Sequence, residues 1–478
     1  MDETIFYNQK CETMPREDLE QLQIERLQST LNRVYRNVAF YQKAFDANSV
    51  NLENIKDVET LRELPFTTKE DLQKSYPYDM FAVPLRNIVR IHSTSGTAGT
   101  PIVVGFTRDD LRNWTECAAR LLAAAGLTEH DVVQIALDYN LFTSGFGFQQ
   151  GAEQIGASVI PASFTASVEK QIVVMRDFKT TALVTTPSHA VNIAAGIEEL
   201  GVHTESLHVR HGLFGGERWS DQLRQQLEDR LHITSTDTYG STEIMSPGVA
   251  GECHLREGLH INEDHFLIEI INPKTLEPVG IGPEGELVLT TITKEGFPLI
   301  RYRTGDITAL NPEPCACGRT FLKMARVLSR TDDLISFRGV EFFPSQIEQV
   351  LRDVEGVSPY YQLILGRQAG ADTLEIKVEI SDSVPFLDGL KSVENMLAPL
   401  SRRIKTVLAV RQAVGGKMDL MVDPACTLMT WADALKLGRA CDEANYLWYE
   451  DPYRDKGISI HGHRRLKDFI KTPILITE

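Results

Sequence analysis

Val132-Val133-Gln134-Ile135-Ala136-Leu137 is a short apolar run closed by Asp131 on one side and Asp138 on the other, the mark of a buried strand. Three more short β-rich runs follow, at 158–160, 182–185 and 210–214. Between them lie stretches of helical length at 145–155, 167–178 and 188–200. Strands alternating with helices predict parallel βαβ units and an α/β core. Upstream, residues 15–45 carry helical periodicity, with Leu19, Leu22, Ile24, Leu27, Leu31, Val34 and Tyr35 on one broad face. Downstream, 259–310 is β-rich, with turns at Asn272-Pro273 and at 282–285, and 332–409 again mixes strands with helices.

The bulk numbers bound the answer. The chain has 478 residues, room for two to four domains, and an ordinary apolar fraction of 42%. A formal net charge of -17 argues against nucleic acid or an anionic membrane as the main partner. No run of about 18 apolar residues is present, and the opening MDETIFYNQK lacks a basic, then apolar, leader. Seven cysteines in so long a chain read as reduced thiols, some of them metal ligands. A cytoplasmic enzyme is expected.

The densest chemical signal is His92-Ser93-Thr94-Ser95-Gly96-Thr97-Ala98-Gly99-Thr100-Pro101, in which every residue from Ser93 to Thr100 except Ala98 is a glycine or bears a hydroxyl. Glycines let backbone N–H groups approach an anion, and hydroxyls add donors without bulk. No Gly-Lys-Ser/Thr follows, so this is not a Walker loop. Read alone, it suits a phosphate cradle or a surface turn equally well.

Three further elements decide between them. Asp237-Thr238-Tyr239-Gly240-Ser241-Thr242-Glu243, Tyr302-Arg303-Thr304-Gly305-Asp306 and Ser329-Arg330-Thr331-Asp332-Asp333 follow in order, with Gly215-Gly216-Glu217 ahead of them. Together they resemble the motifs of the adenylate-forming superfamily. The opening Met14-Pro15-Arg16-Glu17-Asp18-Leu19 and the run Glu243-Ile244-Met245-Ser246-Pro247-Gly248 are similar to the phenylacetate–CoA ligase family within it. The resemblance spans about 7–406. It implies a large AMP-binding domain over 1–331 and a smaller, hinged α+β domain over 332–408. It also implies ATP-dependent activation of an aryl or arylacetic acid to an acyl-adenylate, followed by transfer to CoA.

The same resemblance assigns roles. Glu243 ligates Mg2+ and, with Thr242 and Arg330, forms the catalytic set. Ser93, Ser95, Gly96, Thr97 and Gly99 wrap the phosphates, Gly215, Gly216 and Glu217 form the adenine-side loop, and Asp237, Tyr239 and Gly240 continue it, with Tyr239 against adenine. Asp306 accepts from the ribose hydroxyls, Asp332 is the hinge, and Gly339 lies along the pantetheine channel. Tyr139, Phe142, Phe146, Gly147 and Phe148 read equally as an aromatic acid pocket or as core. Many relatives carry Lys where this chain has Thr100, which removes a cation from the loop. The expected partners are the carboxylic acid, ATP and CoA, with a homodimer as the one assembly considered.

Cys253, His260, Cys315 and Cys317 offer three soft thiolates and an imidazole, a donor set suited to structural Zn2+. His254 is the alternative fourth ligand.

The C-terminal stretch reads differently. No Gly-Lys element of the expected kind is recognised after Val407, although Gly415-Gly416-Lys417 echoes one, so adenylation is expected to be impaired. Residues 409–478 resemble a fragment of an enolase-superfamily barrel of the mandelate racemase type. Met421-Val422-Asp423, Trp448-Tyr449-Glu450 and Ile474-Leu475-Ile476-Thr477-Glu478 end three expected strands, with helices at 431–445 and 461–470. Asp423, Glu450 and Glu478 stand 27 and 28 residues apart, one βα unit each. Three strands do not close a barrel, so the segment is expected to be non-catalytic. The alternatives are a nucleotide-binding pseudoenzyme or inactive fusion, and a Mg2+-dependent lyase or racemase.

Overall fold

A computed structural model describes residues 5–94, 100–331, 335–337, 340–342, 357–368, 371–380, 421–422, 431–444, 446, 448–450, 470–471 and 474–475. The chain divides into two compact units, Met1–Thr331 and Asp332–Glu478.

The first unit is built on a nine-stranded sheet. Five of its strands are parallel neighbours in the order Ser158–Ile160, Val132–Ile135, Ala182–Thr185, His211–Gly215 and Thr234–Tyr239. The sheet continues antiparallel through Ala250–Glu252, Leu259–Ile261, Lys323–Met324 and Leu310–Asn311. Helices Ser144–Gln154, Val168–Asp177, Pro187–Glu199 and Asp221–Leu231 connect the parallel strands, the first three within a residue or so of the expected limits and the fourth without an expectation from the sequence. Local chemistry sets those limits. Ser167 accepts from the Lys170 N–H, Thr186 accepts from the His189 N–H, and Pro187 occupies the first helical position. The polar Gln134 is tolerated in a buried strand because Thr180 and Gln171 satisfy its amide at 2.8 and 2.7 Å.

A second, four-stranded antiparallel sheet orders Phe266–Ile271, Gly285–Thr291, Tyr302–Thr308 and Ser329–Arg330. Its register sets Asp306 opposite Arg330. Buried Glu269 receives the Arg301 guanidinium through two bonds of 3.0 and 2.9 Å, a planar fork on a carboxylate.

The expected N-terminal helix is two helices, Arg16–Asn37 and Ala39–Ala47, broken at the extended Val38. Leu19, Leu27, Leu31 and Val34 are buried as expected, whereas Leu22, Ile24 and Tyr35 are only half-buried. Gln23 and Thr30 are buried instead. Each reaches a carbonyl of the antiparallel region, Gln23 the Glu263 oxygen at 2.8 Å and Thr30 the Ile292 oxygen at 3.1 Å. A hydrogen bond offsets the cost of taking an amide or hydroxyl out of water.

In the second unit, Ile335–Phe337 pairs with Val340–Phe342, and Val357–Gln368 pairs with Ala371–Ile380, both antiparallel. Met421–Val422, Trp448–Glu450 and Ile474–Leu475 form a parallel trio. Helix Trp431–Glu443 lies between the first two strands in sequence and buries Leu437, Ala440 and Cys441. The helix expected at 461–470 falls almost wholly outside the described residues. So do Asp332, Gly339, Lys417, Asp423 and Glu478.

Candidate active site

Four adjacent parallel strands end at one cleft. Leu137 follows the first, Thr186 the second, Gly215 and Gly216 close the third, and Tyr239 and Gly240 close the fourth. The cleft has an empty volume of about 380 Å³, and its other side carries Ser144, Phe148, Ser246 and Pro247. Crevices beyond the carboxyl ends of parallel strands are where such sheets bind ligands. Gly216 sits at φ +79°, which a side chain would strain.

The phosphate-loop residues Ser95, Gly96, Thr97, Ala98 and Gly99 lie outside the described residues. The loop's ends are defined. Arg90–Ser93 and Val103–Phe106 form an antiparallel hairpin, and Thr94 closes it with bonds to and from Ile102 at 3.0 Å. The Ser93 N–H donates to the Leu141 oxygen at 3.0 Å, which ties the loop to the 139–148 segment.

Glu243 stands on the turn that follows Thr234–Tyr239. Its Oε1 accepts from the Tyr302 hydroxyl at 2.9 Å. Under the turn, buried Lys294 donates to the Glu243 and Ile244 carbonyls at 2.8 and 2.7 Å. Burial pushes Lys294 down to about 7, against Asp110 and Glu243, whose charges raise it. Thr242 Oγ1 lies 3.5 Å from Thr143 Oγ1, and Ser246 Oγ lies 3.0 Å from Ser144 Oγ. The Glu243 turn and the start of helix Ser144–Gln154 therefore share a seam.

Asp306 is engaged on both oxygens. Tyr239 donates to Oδ2 and Arg330 to Oδ1, each at 2.5 Å. A carboxylate has about four lone-pair sites, so these two donors do not exhaust it. Burial and the Asp306 charge hold the Tyr239 hydroxyl well above its usual range, so it stays a donor. Glu217 does not point its carboxylate at the cleft. It accepts from the Ser188 N–H and hydroxyl at 3.1 and 2.8 Å, capping helix Pro187–Glu199. Asp237 is likewise absent from the cleft lining. It is pushed up to about 7 by burial, with the Glu252 charge adding.

On the acid side, Tyr139 meets Phe146 edge-on at 5.2 Å, His92 meets the same ring at 5.4 Å, and the Arg90 guanidinium lies 5.4 Å over it. Phe142 is half-buried. Gly147 serves packing. A Cβ there would stand 2.5 Å from Pro247 Cδ and 2.7 Å from the Trp114 indole.

The structure gathers Cys253, His260, Cys315 and Cys317, all buried, with their ligand atoms within 4.8 Å of one another. Pairing of Leu259–Ile261 with Lys323–Met324 brings the two halves of this set together. His254 stands outside the group. The hydrogen bond from the Cys253 thiol, helped by His260, holds the Cys317 thiol well below its usual range.

Comparison with known proteins fits this geometry. The family model described as AMP-binding enzyme matches residues 18–293, and that of the AMP-binding enzyme C-terminal domain matches 339–417. The phenylacetate-coenzyme A ligase of Escherichia coli is 44% identical over 401 residues, covering 84% of this chain and 91% of that protein. The phenylacetate-coenzyme A ligase of Thermus thermophilus is 43% identical over 383 residues, covering 80% and 85%. The chain belongs to the phenylacetate–coenzyme A ligase family. It is an AMP-forming acid–CoA ligase of α/β fold. Among solved structures, 2-hydroxyisobutyryl-CoA ligase in the postadenylation state, in complex with 2-HIB-AMP, shares the fold with a TM-score of 0.77 at 22% identity, covering 96% of this chain and 94% of that one.

The C-terminal domain match moves one boundary. It runs to 417, past the expected end at 408, and so takes in Gly415-Gly416-Lys417. The two matching family models end at 417 and give the enolase-type reading of the residues after it no support. Sequence reading missed Lys294 and the purpose of the Tyr302 hydroxyl. The available signal was a lysine, beside Glu295, in the run 289–300, which is otherwise apolar, hydroxyl-bearing or glycine.

Among the described residues, no helix is long and apolar enough to cross a membrane.

Proposed function

We propose that this ligase activates phenylacetate or a close arylacetic acid. The acid's oxygen attacks the α-phosphorus of ATP as the bond to pyrophosphate breaks. The CoA thiol then attacks the acyl carbon of the adenylate and AMP leaves. The observation that carries the nucleotide half of this reading is that Tyr239, which lines the strand-end cleft, bonds Asp306, which Arg330 also holds, while the Glu243–Tyr302 pair belongs to the turn that follows Tyr239. The two named relatives and the aromatic wall of Tyr139, Phe146 and His92 support the arylacetate half.

Each residue then has a task. Glu243, held by Tyr302, offers a carboxylate oxygen, which a hard cation prefers. Mg2+ bound there supplies charge neutralisation on the phosphates. Asp306 uses further lone pairs for the ribose hydroxyls, oriented by Tyr239 and Arg330. Gly215 and Gly216 let the adenine edge approach the backbone. Ser93 to Gly99 wrap the phosphates. Asp332 is the hinge about which the small domain, 332–408 extended to 417, turns between half-reactions, and Gly339 borders the pantetheine path. Pyrophosphate release should respond to phenylacetate at least about tenfold better than to short aliphatic acids, since ring burial contributes over about 1.4 kcal/mol. Lys417→Ala should lower that release if the lysine approaches the α-phosphate. A preference for aliphatic acids would remove the arylacetate assignment.

The four-residue cluster fits structural Zn2+. Thiolates at about 2.3 Å from a tetrahedral ion stand about 3.8 Å apart. Cys253 Sγ and Cys315 Sγ are 3.8 Å apart, and Cys317 Sγ and His260 Nε2 are 3.5 Å apart.

The parallel trio after 417 we read as a βαβ piece that resembles an enolase-type barrel but takes no part in catalysis. Its support is the parallel pairing of strands around helix Trp431–Glu443. Asp423→Asn combined with Glu450→Gln should leave acyl-CoA formation within twofold of the unaltered chain. A larger loss would give the segment a functional part.

A further inference from the structure

We propose that Lys294 is a positioning residue for adenylation: its ammonium grips the peptide carbonyls of Glu243 and Ile244 and so fixes the turn that presents the Glu243 carboxylate to the metal–nucleotide. The proposal rests on the assignment of Glu243 as the metal-binding carboxylate.

Lys294 is 3% exposed. Among the described residues its hydrogen-bond partners are the two carbonyls, at 2.8 and 2.7 Å, rather than a carboxylate. Its Nζ also lies 4.8 and 5.3 Å from the ring centroids of Phe106 and Phe297. Aromatic faces attract a cation, but burying an ammonium without a salt-bridge partner is costly, and an apolar side chain would fill the same space more cheaply. A cation kept under these conditions is best explained by what it holds.

The lysine is itself held from behind. The Glu295 and Gly296 N–H groups donate to the Asp110 carboxylate at 2.6 and 2.9 Å. Asp110 is the third residue of helix Arg108–Ala124 and closes a capping box with Thr107. Gly296 packs so closely there that a Cβ would lie 2.5 Å from the Gly105 oxygen. The helix start thus clamps the lysine turn, and the lysine clamps the Glu243 turn. Tyr302 fixes the carboxylate itself at 2.9 Å. Glu243 is thus gripped at its backbone by Lys294, in the connection after strand Gly285–Thr291, and at its side chain by Tyr302, the first residue of the strand which that connection enters. Such pinning keeps a charged ligand in place before the ion and the triphosphate arrive.

The test uses the full chain with Lys294→Met, which keeps bulk and removes charge, and Lys294→Gln, which keeps a donor without charge. Mn2+ binding in the presence of a non-hydrolysable ATP analogue is followed by electron paramagnetic resonance, beside thermal unfolding and the two half-reactions. Both variants should bind the Mn2+–nucleotide about tenfold more weakly. Pyrophosphate release should fall at least tenfold, while thioester formation from supplied phenylacetyl-adenylate stays within twofold. If Lys294→Met does not fold, Lys294→Gln decides. Unchanged Mn2+–nucleotide binding in a folded variant overturns the proposal, as does an equal fall in both half-reactions, which marks a general structural role. Glu243→Gln is the control. If it too keeps full Mn2+ binding, the metal-ligand assignment fails; if it alone loses binding, only the role of Lys294 fails.

Discussion

Glu243→Gln is expected to slow pyrophosphate release by two to three orders of magnitude while the protein still folds. The substitution keeps shape and the hydrogen bond from Tyr302, because the amide oxygen also accepts. It removes the negative charge. During attack on the α-phosphorus, the acid's carboxylate and the triphosphate crowd several anionic oxygens together, and the protein's contribution is positioning and charge. Losing one such element costs roughly 10²–10³ in rate, or about 3–4 kcal/mol of transition-state stabilisation. Thioester formation should be much less affected, since AMP departs without a change in phosphate bonding. Rapid-quench measurement of pyrophosphate, with acyl-transfer from synthetic acyl-adenylate as the second readout, separates the two. Equal losses in both steps would remove Glu243 from the metal site.

The fold was legible where a short-range pattern decides structure. The strand at 132–135 announces itself because a run buried on both faces is mostly apolar, here in all but Gln134. Two helix starts fall within a residue of the expected 167 and 188, where Ser167 and Thr186 cap them through side chains that act within three residues. The break at Val38 was not, since Tyr41 and Phe45 continue the apolar periodicity across it, and only packing distinguishes one helix from two. Nor was the burial of Gln23 and Thr30, whose acceptors lie some 240 and 262 residues away. The site followed the same division. Glu243 and Asp306 sit in dense local motifs, so a family resemblance could single them out from the sequence. Lys294 sits in no such motif. Its significance appears only once Phe106, Phe297 and the Glu243 turn surround it. Glu217 shows the converse, a motif acid whose bonds to the Ser188 N–H and hydroxyl no local pattern announces.

The cysteine cluster makes the second large prediction. Cys317→Ser should abolish stoichiometric zinc and destabilise the first unit by roughly 3–5 kcal/mol, the range reached when a structural metal is lost. For a unit of this size that is a fall in Tm of roughly 4–7 °C. Global unfolding is not expected, because the 315–320 loop has other anchors. Arg319 Nε donates to the buried Glu12 carboxylate at 2.7 Å, and the Thr320 N–H donates to the Glu12 carbonyl at 3.0 Å. Those bonds hold the loop to the N-terminal segment, whereas the metal would hold it to the sheet through Cys253 and His260. Losing the metal should therefore loosen residues 315–318 against 253–260 and leave 5–14 in place, a pattern that hydrogen exchange can read. Ligand choice gives a sharper discrimination. His260→Ala should lose zinc as Cys317→Ser does, while His254→Ala should keep it, because His260 and not His254 joins the three sulfurs. Metal analysis of protein produced with added zinc, before and after chelation, measures both. Zinc-free protein of unchanged Tm would mean that the four donors pack as a buried thiol–imidazole cluster without an ion.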